Sequence, residues 1–131
     1  MSNKTKILIV EDEAPLMMFL VSVLTRIGCD VKTAHTGKKA MELAAEKRFD
    51  LVMLDTGLRD ASSSQVCNEL KQRHISRKTP VILISVRPCP KELRRTADDC
   101  ITKPVDATDL VYKVIYHAKA KHSKKPETVS L

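Results

Sequence analysis

Three short apolar runs, each ending in polar or acidic residues, constrain this chain more than any other feature. Leu51-Val52-Met53-Leu54 ends in Asp55, Ile7-Leu8-Ile9-Val10 ends in Glu11-Asp12-Glu13, and Val81-Ile82-Leu83-Ile84 ends in Ser85. Four consecutive apolar residues are too few for a helix core and fit a strand buried on both faces, the situation of strands in a parallel sheet. Parallel neighbours finish on one edge of the sheet, and open α/β folds bind ligands outside that edge. Glu11, Asp12, Asp55 and Ser85 are therefore expected to converge.

Between these runs the apolar period changes to that of a helix. Pro15 suits a first helical turn, and Leu16, Leu20, Val23, Leu24 and Ile27 form one apolar face that Gly28 closes. Met18 and Val21 point away from that face with Met17 at its margin, and the three make a candidate docking patch. The weaker strand near Val31 to His35 is polar enough for a sheet edge, and Thr36 caps a helix reaching about Arg48 with Ala40, Met41 and Ala44 inward. Ser62 to Gln65 reads as a capping box ahead of Val66, Cys67 and Leu70.

Arg87-Pro88-Cys89-Pro90 cannot be helical throughout, because each proline biases the residue before it away from the α region. Only a short helix near Lys91 to Thr96 is then available, before a brief strand at Cys100-Ile101-Thr102 and Lys103-Pro104. Asp106 and Asp109 stand at capping-box spacing ahead of Leu110, Val111, Val114 and Ala118. Residues 122–131 carry no periodicity and are expected to be a disordered basic tail, leaving 1–121 as the domain. Five strands alternating with five helices predict a doubly wound α/β domain with right-handed crossovers.

A length of 131 residues suits one such domain with a single substantial core. No apolar run approaches the length of a membrane span, and the first six residues lead directly into a strand, so a cytoplasmic protein without membrane insertion is expected. Cys29, Cys67, Cys89 and Cys100 show no metal-ligand spacing and are expected to be free thiols. The net charge of +7 is concentrated in Lys119, Lys121, Lys124 and Lys125 and in Lys91, Arg94 and Arg95. Nucleic-acid binding is disfavoured, because aromatic residues for base stacking are nearly absent and no DNA-reading motif is present.

Three carboxylates at one sheet edge repel, so ionising all of them is costly unless a cation intervenes. Oxygen donors with no His or Cys among them suit Mg²⁺, and Lys103 reaches the same edge from the last strand. A carboxylate, a hard cation, a hydroxyl and an ammonium around one point suit phosphoryl transfer. Asp55 stands alone on the central strand and is the candidate nucleophile, giving an acyl phosphate, while Glu11 and Asp12 form the metal-holding pair. A phosphohydrolase with an Asp nucleophile generally places a second acid two residues later, and here that residue is Gly57.

The segments ILIVEDE, DLVMLD, PVILIS and ADDCITKP, in this order and spacing, resemble the receiver domain of two-component response regulators over nearly the whole length. The resemblance implies a flavodoxin-like sheet in order 2-1-3-4-5. It implies that Asp55 accepts phosphate from a histidine kinase or histidine phosphotransfer protein, that Asp12, Asp55 and the Gly57 carbonyl ligate Mg²⁺, and that Glu11 acts largely through water. Ser85 and Lys103 would bind the phosphoryl oxygens, with Ser85 and its loop moving on phosphorylation.

This chain departs from the family pattern at several positions. Leu58 and Arg59 stand where Met-Pro is usual, and Ser63 stands for a glycine. The small residue after the switch hydroxyl is replaced by Val86, whose bulk could hinder access, and the switch aromatic is replaced by Cys100. The segment from Ser85 to Lys103 is about one helical turn short, so the fourth helix is reduced.

The implied protein is a free-standing receiver, monomeric or weakly dimeric, whose phosphorylation alters binding to a downstream protein target. Met17, Met18 and Val21 are candidates for meeting the phosphodonor, and Arg94, Tyr112 and Tyr116 for the target. The alternative is a pseudo-receiver, an interaction module that works independently of phosphate.

Overall fold

The computed structural model describes residues 4–89, 91 and 95–122, the last four of these as backbone only. Each apolar run is a strand. In chain order the elements are β1 (Lys6–Val10), α1 (Ala14–Arg26), β2 (Asp30–Ala34), α2 (Gly37–Glu46), β3 (Leu51–Asp55), α3 (Ser63–Gln72), β4 (Val81–Ser85), β5 (Asp99–Thr102) and α4 (Ala107–His122). All strand pairings are parallel, in the order β2-β1-β3-β4-β5, which is the doubly wound arrangement expected.

Side chains on a strand alternate between faces, so each run feeds two cores. Leu8, Val10, Val52, Leu54, Val81 and Leu83 meet Ala40, Met41 and Ala44 of α2 and Val66, Cys67 and Leu70 of α3. Ile7, Ile9, Leu51, Met53, Ile82 and Ile84 meet Met17, Leu20 and Leu24 of α1 and Leu110 and Val114 of α4. This double burial is why β3 and β4 contain no polar residue before their last position, and why edge strand β2 tolerates Asp30, Lys32 and Thr33.

The caps expected at Thr36, Ser62 and Asp106 are present. Ser62 Oγ accepts from Gln65 N at 3.1 Å, and Gln65 Oε1 accepts from Ser62 N at 2.9 Å, completing the capping box. Ser62→Ala removes one of those two bonds and is expected to lower stability by about 1 kcal/mol, measured as a shift in urea midpoint. Asp106 caps α4 through the Asp109 N–H at 2.9 Å. Gly28, at φ 94°, closes α1 in a Schellman turn in which Cys29 N donates to Leu24 O and Gly28 N to Thr25 O, each at 3.0 Å.

One cap comes from far along the chain. Thr36 accepts from Lys39 N, while Asp60, in the β3–α3 loop, accepts from Gly37 N at 2.8 Å and Lys38 N at 3.1 Å. These two N–H groups hold the Asp60 carboxyl below its ordinary range. The loop comes so close that a Cβ on Gly37 would lie 2.9 Å from the Ala61 Cβ.

Several expectations are corrected. Met17 is 6% exposed and belongs to the core, because α4 packs beside α1 and widens its buried arc; Val21 is partly buried against the same cluster, so of the docking patch Met18 alone is fully exposed. Ile27, expected inward, is 42% exposed because it is the C-cap residue, where the helix has already turned away from the sheet. The four cysteines are not all free: Cys89 and Cys100 form a disulfide, while Cys29 and Cys67 are buried thiols. The sequence separation of 11 gave no motif to read, and only the pairing of β5 beside β4 brings the two together.

Of the short helix expected near Lys91 to Thr96, residues 92–94 lie outside the described residues, as do residues 123–131 of the expected tail, whose first residue, His122, is the last of α4; four helices are present among the described residues. No described helix is long and apolar enough to cross a membrane.

Candidate functional site at the carboxyl edge of the sheet

Register brings the acids together. Val10 pairs with Leu54 and Asp55 pairs with Ile84, so the next residue of β1, Glu11, arrives beside Asp55, and Ser85 follows on the other side. One carboxylate oxygen from each of Glu11, Asp12 and Asp55 lies within 4.8 Å of the others. Glu11 and Asp55 are buried and Asp12 is half-buried. The convergence expected from the ends of the apolar runs is therefore present.

The environment of Glu11 is unusual for an acid. Its Oε2 accepts from Glu13 N at 3.0 Å, but its Oε1 is buried with no hydrogen-bond partner. Burial, reinforced by the charges of Asp55 and Asp12 and opposed by the Glu13 N–H and Lys103, pushes its carboxyl up to about 7. A buried acceptor without a partner is costly, and such groups point to an unfilled role. An oxygen-lined, net acidic pocket with one unsatisfied oxygen fits a hard divalent cation, and Glu11, Asp12 and Asp55 are the residues that could hold it.

Lys103 supplies the positive charge. Its Nζ lies 3.3 Å from Asp55 Oδ1 and 3.8 Å from Glu13 Oε1. Burial alone would lower the ammonium's pKa, but Asp55 and Glu11 outweigh it and raise the value. Lys103 N also donates to Ser85 O at 2.7 Å, which fixes the start of the β5–α4 connection against β4, and the Lys103–Pro104 peptide is cis.

Ser85 is buried at the end of β4, where its Oγ accepts from Arg87 N at 3.2 Å. Gly57 N donates to Asp55 Oδ1 at 3.2 Å, and a Cβ at Gly57 would make ordinary contact with both Asp55 oxygens. Val86 is 69% exposed, and Cys100 is tied to Cys89.

Three neighbours carried no signal as site residues in the sequence. Arg59 Nε lies 3.9 Å from Asp12 Oδ2, Glu13 faces Lys103, and His35 Nδ1 lies 3.2 Å from Glu11 O. Charge alone marks Arg59 and Glu13 as surface residues, and only the loop path brings Arg59 back to Asp12. An open cleft of about 700 Å³ runs beside the site, lined by Asp12, Pro15, Phe19, Arg59, Lys103 and Val105 among others.

A five-stranded parallel sheet with an acid cluster and a lysine at its carboxyl edge defines a receiver-like module. The family model for the response regulator receiver domain matches residues 7–115, and the chain belongs to that family. It is similar to the response regulator ArlR of Staphylococcus saprophyticus, 33% identical over 114 residues that make up 84% of this chain and 50% of the relative. It is also similar to ArlR of Staphylococcus aureus strain Mu50, at 32% identity over 84% of this chain and 51% of the relative. The chain spans about half the length of these curated relatives.

Among solved structures, the signal receiver domain of a histidine kinase from Syntrophus aciditrophicus aligns with a TM-score of 0.81 at 28% identity, covering 97% of this chain and 98% of that one. A receiver domain of a sensor histidine kinase from Pseudomonas aeruginosa, solved with a magnesium ion coordinated in its active site cleft, aligns with a TM-score of 0.83 at 20% identity. That alignment covers 88% of this chain and 98% of the other and shows the shared fold.

Proposed function

We propose that this receiver domain is a phosphoacceptor in a two-component relay, phosphorylated on Asp55 with Mg²⁺ and signalling through altered binding to a protein partner. The observation that carries this reading is the juxtaposition of three acid oxygens within 4.8 Å, one buried acceptor lacking a partner, and Lys103 at 3.3 Å from Asp55. Its phosphodonor is a histidine kinase or histidine phosphotransfer protein, and its working compartment is the cytoplasm. The domain comprises residues 1–121, and its catalysis is limited to its own phosphoryl transfer and slow dephosphorylation.

In this mechanism an Asp55 carboxylate oxygen attacks phosphorus while the bond to the donor nitrogen breaks, leaving an acyl phosphate on Asp55. Asp12, Asp55 and the Gly57 carbonyl would hold Mg²⁺, with Glu11 acting through water, and the cation would supply charge neutralisation at the phosphoryl oxygens. The Lys103 ammonium leaves its ion pair with Asp55 for one phosphoryl oxygen, and the Ser85 hydroxyl, whose oxygen accepts from Arg87 N, turns its O–H to donate to another in exchange for its resting orientation. That exchange draws the β4 exit toward Asp55 and biases a two-state element. The cleft walled by Pro15, Phe19 and Val105 reaches Asp12 and Lys103, and a donor domain seated there would meet the edge of the site.

The test is peptide mapping by mass spectrometry after incubation with acetyl phosphate. A phosphoryl group on the peptide carrying Asp55, formed with Mg²⁺ and absent with a chelator, is the expected result. A partner affinity that does not change between the phosphorylated and unmodified forms would favour the pseudo-receiver instead.

A further inference from the structure

The Cys89–Cys100 disulfide joins Cα atoms 6.2 Å apart at two positions close to the site. Cys89 lies four residues after Ser85 on the segment leaving β4; Cys100 pairs with Leu83 in β5, three residues before Lys103. The bond therefore ties the segment that follows the Ser85 hydroxyl to the second residue of β5, the strand that leads to the Lys103 ammonium beside Asp55. At one end the Ser85–Cys89 segment is held by the ladder, through Lys103 N to Ser85 O at 2.7 Å, and at the other by sulfur.

Packing does not require this bond. Two buried clusters on opposite faces of the sheet already give a domain of this size its core, a situation in which disulfide staples are unnecessary. In a reducing compartment, a disulfide that persists only at times is characteristic of redox sensing.

The pair is also reachable. Both cysteines are half-buried and line an open cleft of about 410 Å³ with Pro88, Ala97, Asp98 and Thr102. The acids at that cleft are matched by lysines, Asp98 lying 3.7 Å from Lys71 Nζ and Asp99 3.8 Å from Lys113 Nζ, and Asp99 also lies 2.8 Å from His117 Nε2. An approaching thiolate is thus spared unscreened like charge. Cys29 and Cys67, by contrast, are fully packed, and burial pushes both thiols up, away from the reactive thiolate.

We propose that Cys89 and Cys100 form a reversible dithiol/disulfide site, reduced by small or protein dithiols, that sets the mobility of the Ser85–Cys89 segment and so its response to Asp55 phosphorylation. The response half rests on the phosphoacceptor reading above. In reduction, a thiolate of the dithiol attacks one sulfur, the Cys89–Cys100 bond breaks, and the departing thiolate takes a proton. The reductant's second thiol then resolves the mixed disulfide, so two electrons and two protons pass to the cysteines and the reductant leaves as a cyclic disulfide. A low-molecular-weight disulfide reverses the sequence.

Coupling of this kind is reciprocal: if the reduced segment follows the phosphoryl group more readily, phosphorylation favours the reduced pair by the same factor. A coupling of about fivefold moves the midpoint of this two-electron couple by about 20 mV toward reduction.

The full chain, equilibrated in graded mixtures of reduced and oxidised dithiothreitol without denaturant, tests the proposal. Alkylation and peptide mapping count the free thiols, and amide hydrogen exchange reads the peptide covering residues 85–89, before and after acetyl phosphate with Mg²⁺. Cys89 and Cys100 alone are expected to titrate, together, with amide exchange in that peptide rising about fivefold or more on reduction. The Cys89→Ser variant is expected to exchange like the reduced parent in every buffer, with Cys100→Ser as the independent second variant.

A pair that resists reduction in the folded protein, or is free under oxidising conditions, would overturn the site, as would exchange indifferent to redox state. If the phosphoryl group attaches but the midpoint stays fixed, the coupling is wrong and the phosphoacceptor reading stands. If no phosphoryl group attaches in either redox state, that reading and the coupling fall together, while amide exchange still decides the redox site.

Discussion

Asp55→Ala is expected to reduce phosphoryl incorporation from acetyl phosphate to background, the largest single-residue effect in this protein. Neighbouring acids are poor substitutes for reasons visible in the geometry. Glu11 is buried, one of its oxygens is already engaged by the Glu13 N–H, and Lys103 pairs with Asp55 and Glu13 instead. Asp12 lies beside Arg59 rather than Lys103, whose Nζ is 3.3 Å from Asp55. Intact mass of the parent and variant after equal incubation with Mg²⁺ measures the difference. A variant that still takes up one phosphoryl group at the parental rate would reassign the nucleophile, and mapping would show whether Glu11 or Asp12 had accepted it.

The residues behind this prediction were legible because parallel strands announce themselves. Leu51–Leu54 and Val81–Ile84 are apolar at consecutive positions since both faces of the sheet are covered, and each polar residue that follows must lie at the carboxyl edge. The Ser62–Gln65 capping box and the Asp106 cap were legible because each is a local contact between residues three apart. What stayed hidden depends on how elements are placed against one another. Met17 is buried because α4 lies beside α1, and no periodicity within α1 encodes that neighbour.

Long-range polar contacts were equally silent. Asp60 caps α2 from a loop 23 residues away, and Arg59 approaches Asp12 through the same loop, which departs from the family pattern at Leu58 and Arg59. Cys100 was recognisable as replacing the usual aromatic, but its partner Cys89 was not, since their pairing needs the β4–β5 register. That register links the missing aromatic to the divergent segment after Ser85: the position that usually carries a movable ring carries half of a covalent tie.

Metal-free protein is expected to become less stable as pH rises from about 4.5 to about 7, the reverse of the usual behaviour of paired carboxylates. Glu11 ionises near 4.5 when unfolded and about 7 when folded, because burial disfavours its charge and Asp55 and Asp12 add repulsion. Between those values the native state binds more protons than the unfolded state, so its contribution is complete below 4.5 and is lost as pH climbs through 7. The loss is of order 2 kcal/mol, readable as a falling urea midpoint in the presence of a chelator. Glu11→Gln is expected to flatten the profile over this window, since the amide keeps the shape without the charge. Saturating Mg²⁺ should restore stability most at the high end, where Glu11 is ionised beside Asp55 and Asp12. A midpoint that rises with pH without metal, or the same slope in Glu11→Gln, would show that the acid cluster is not the strained element of this fold.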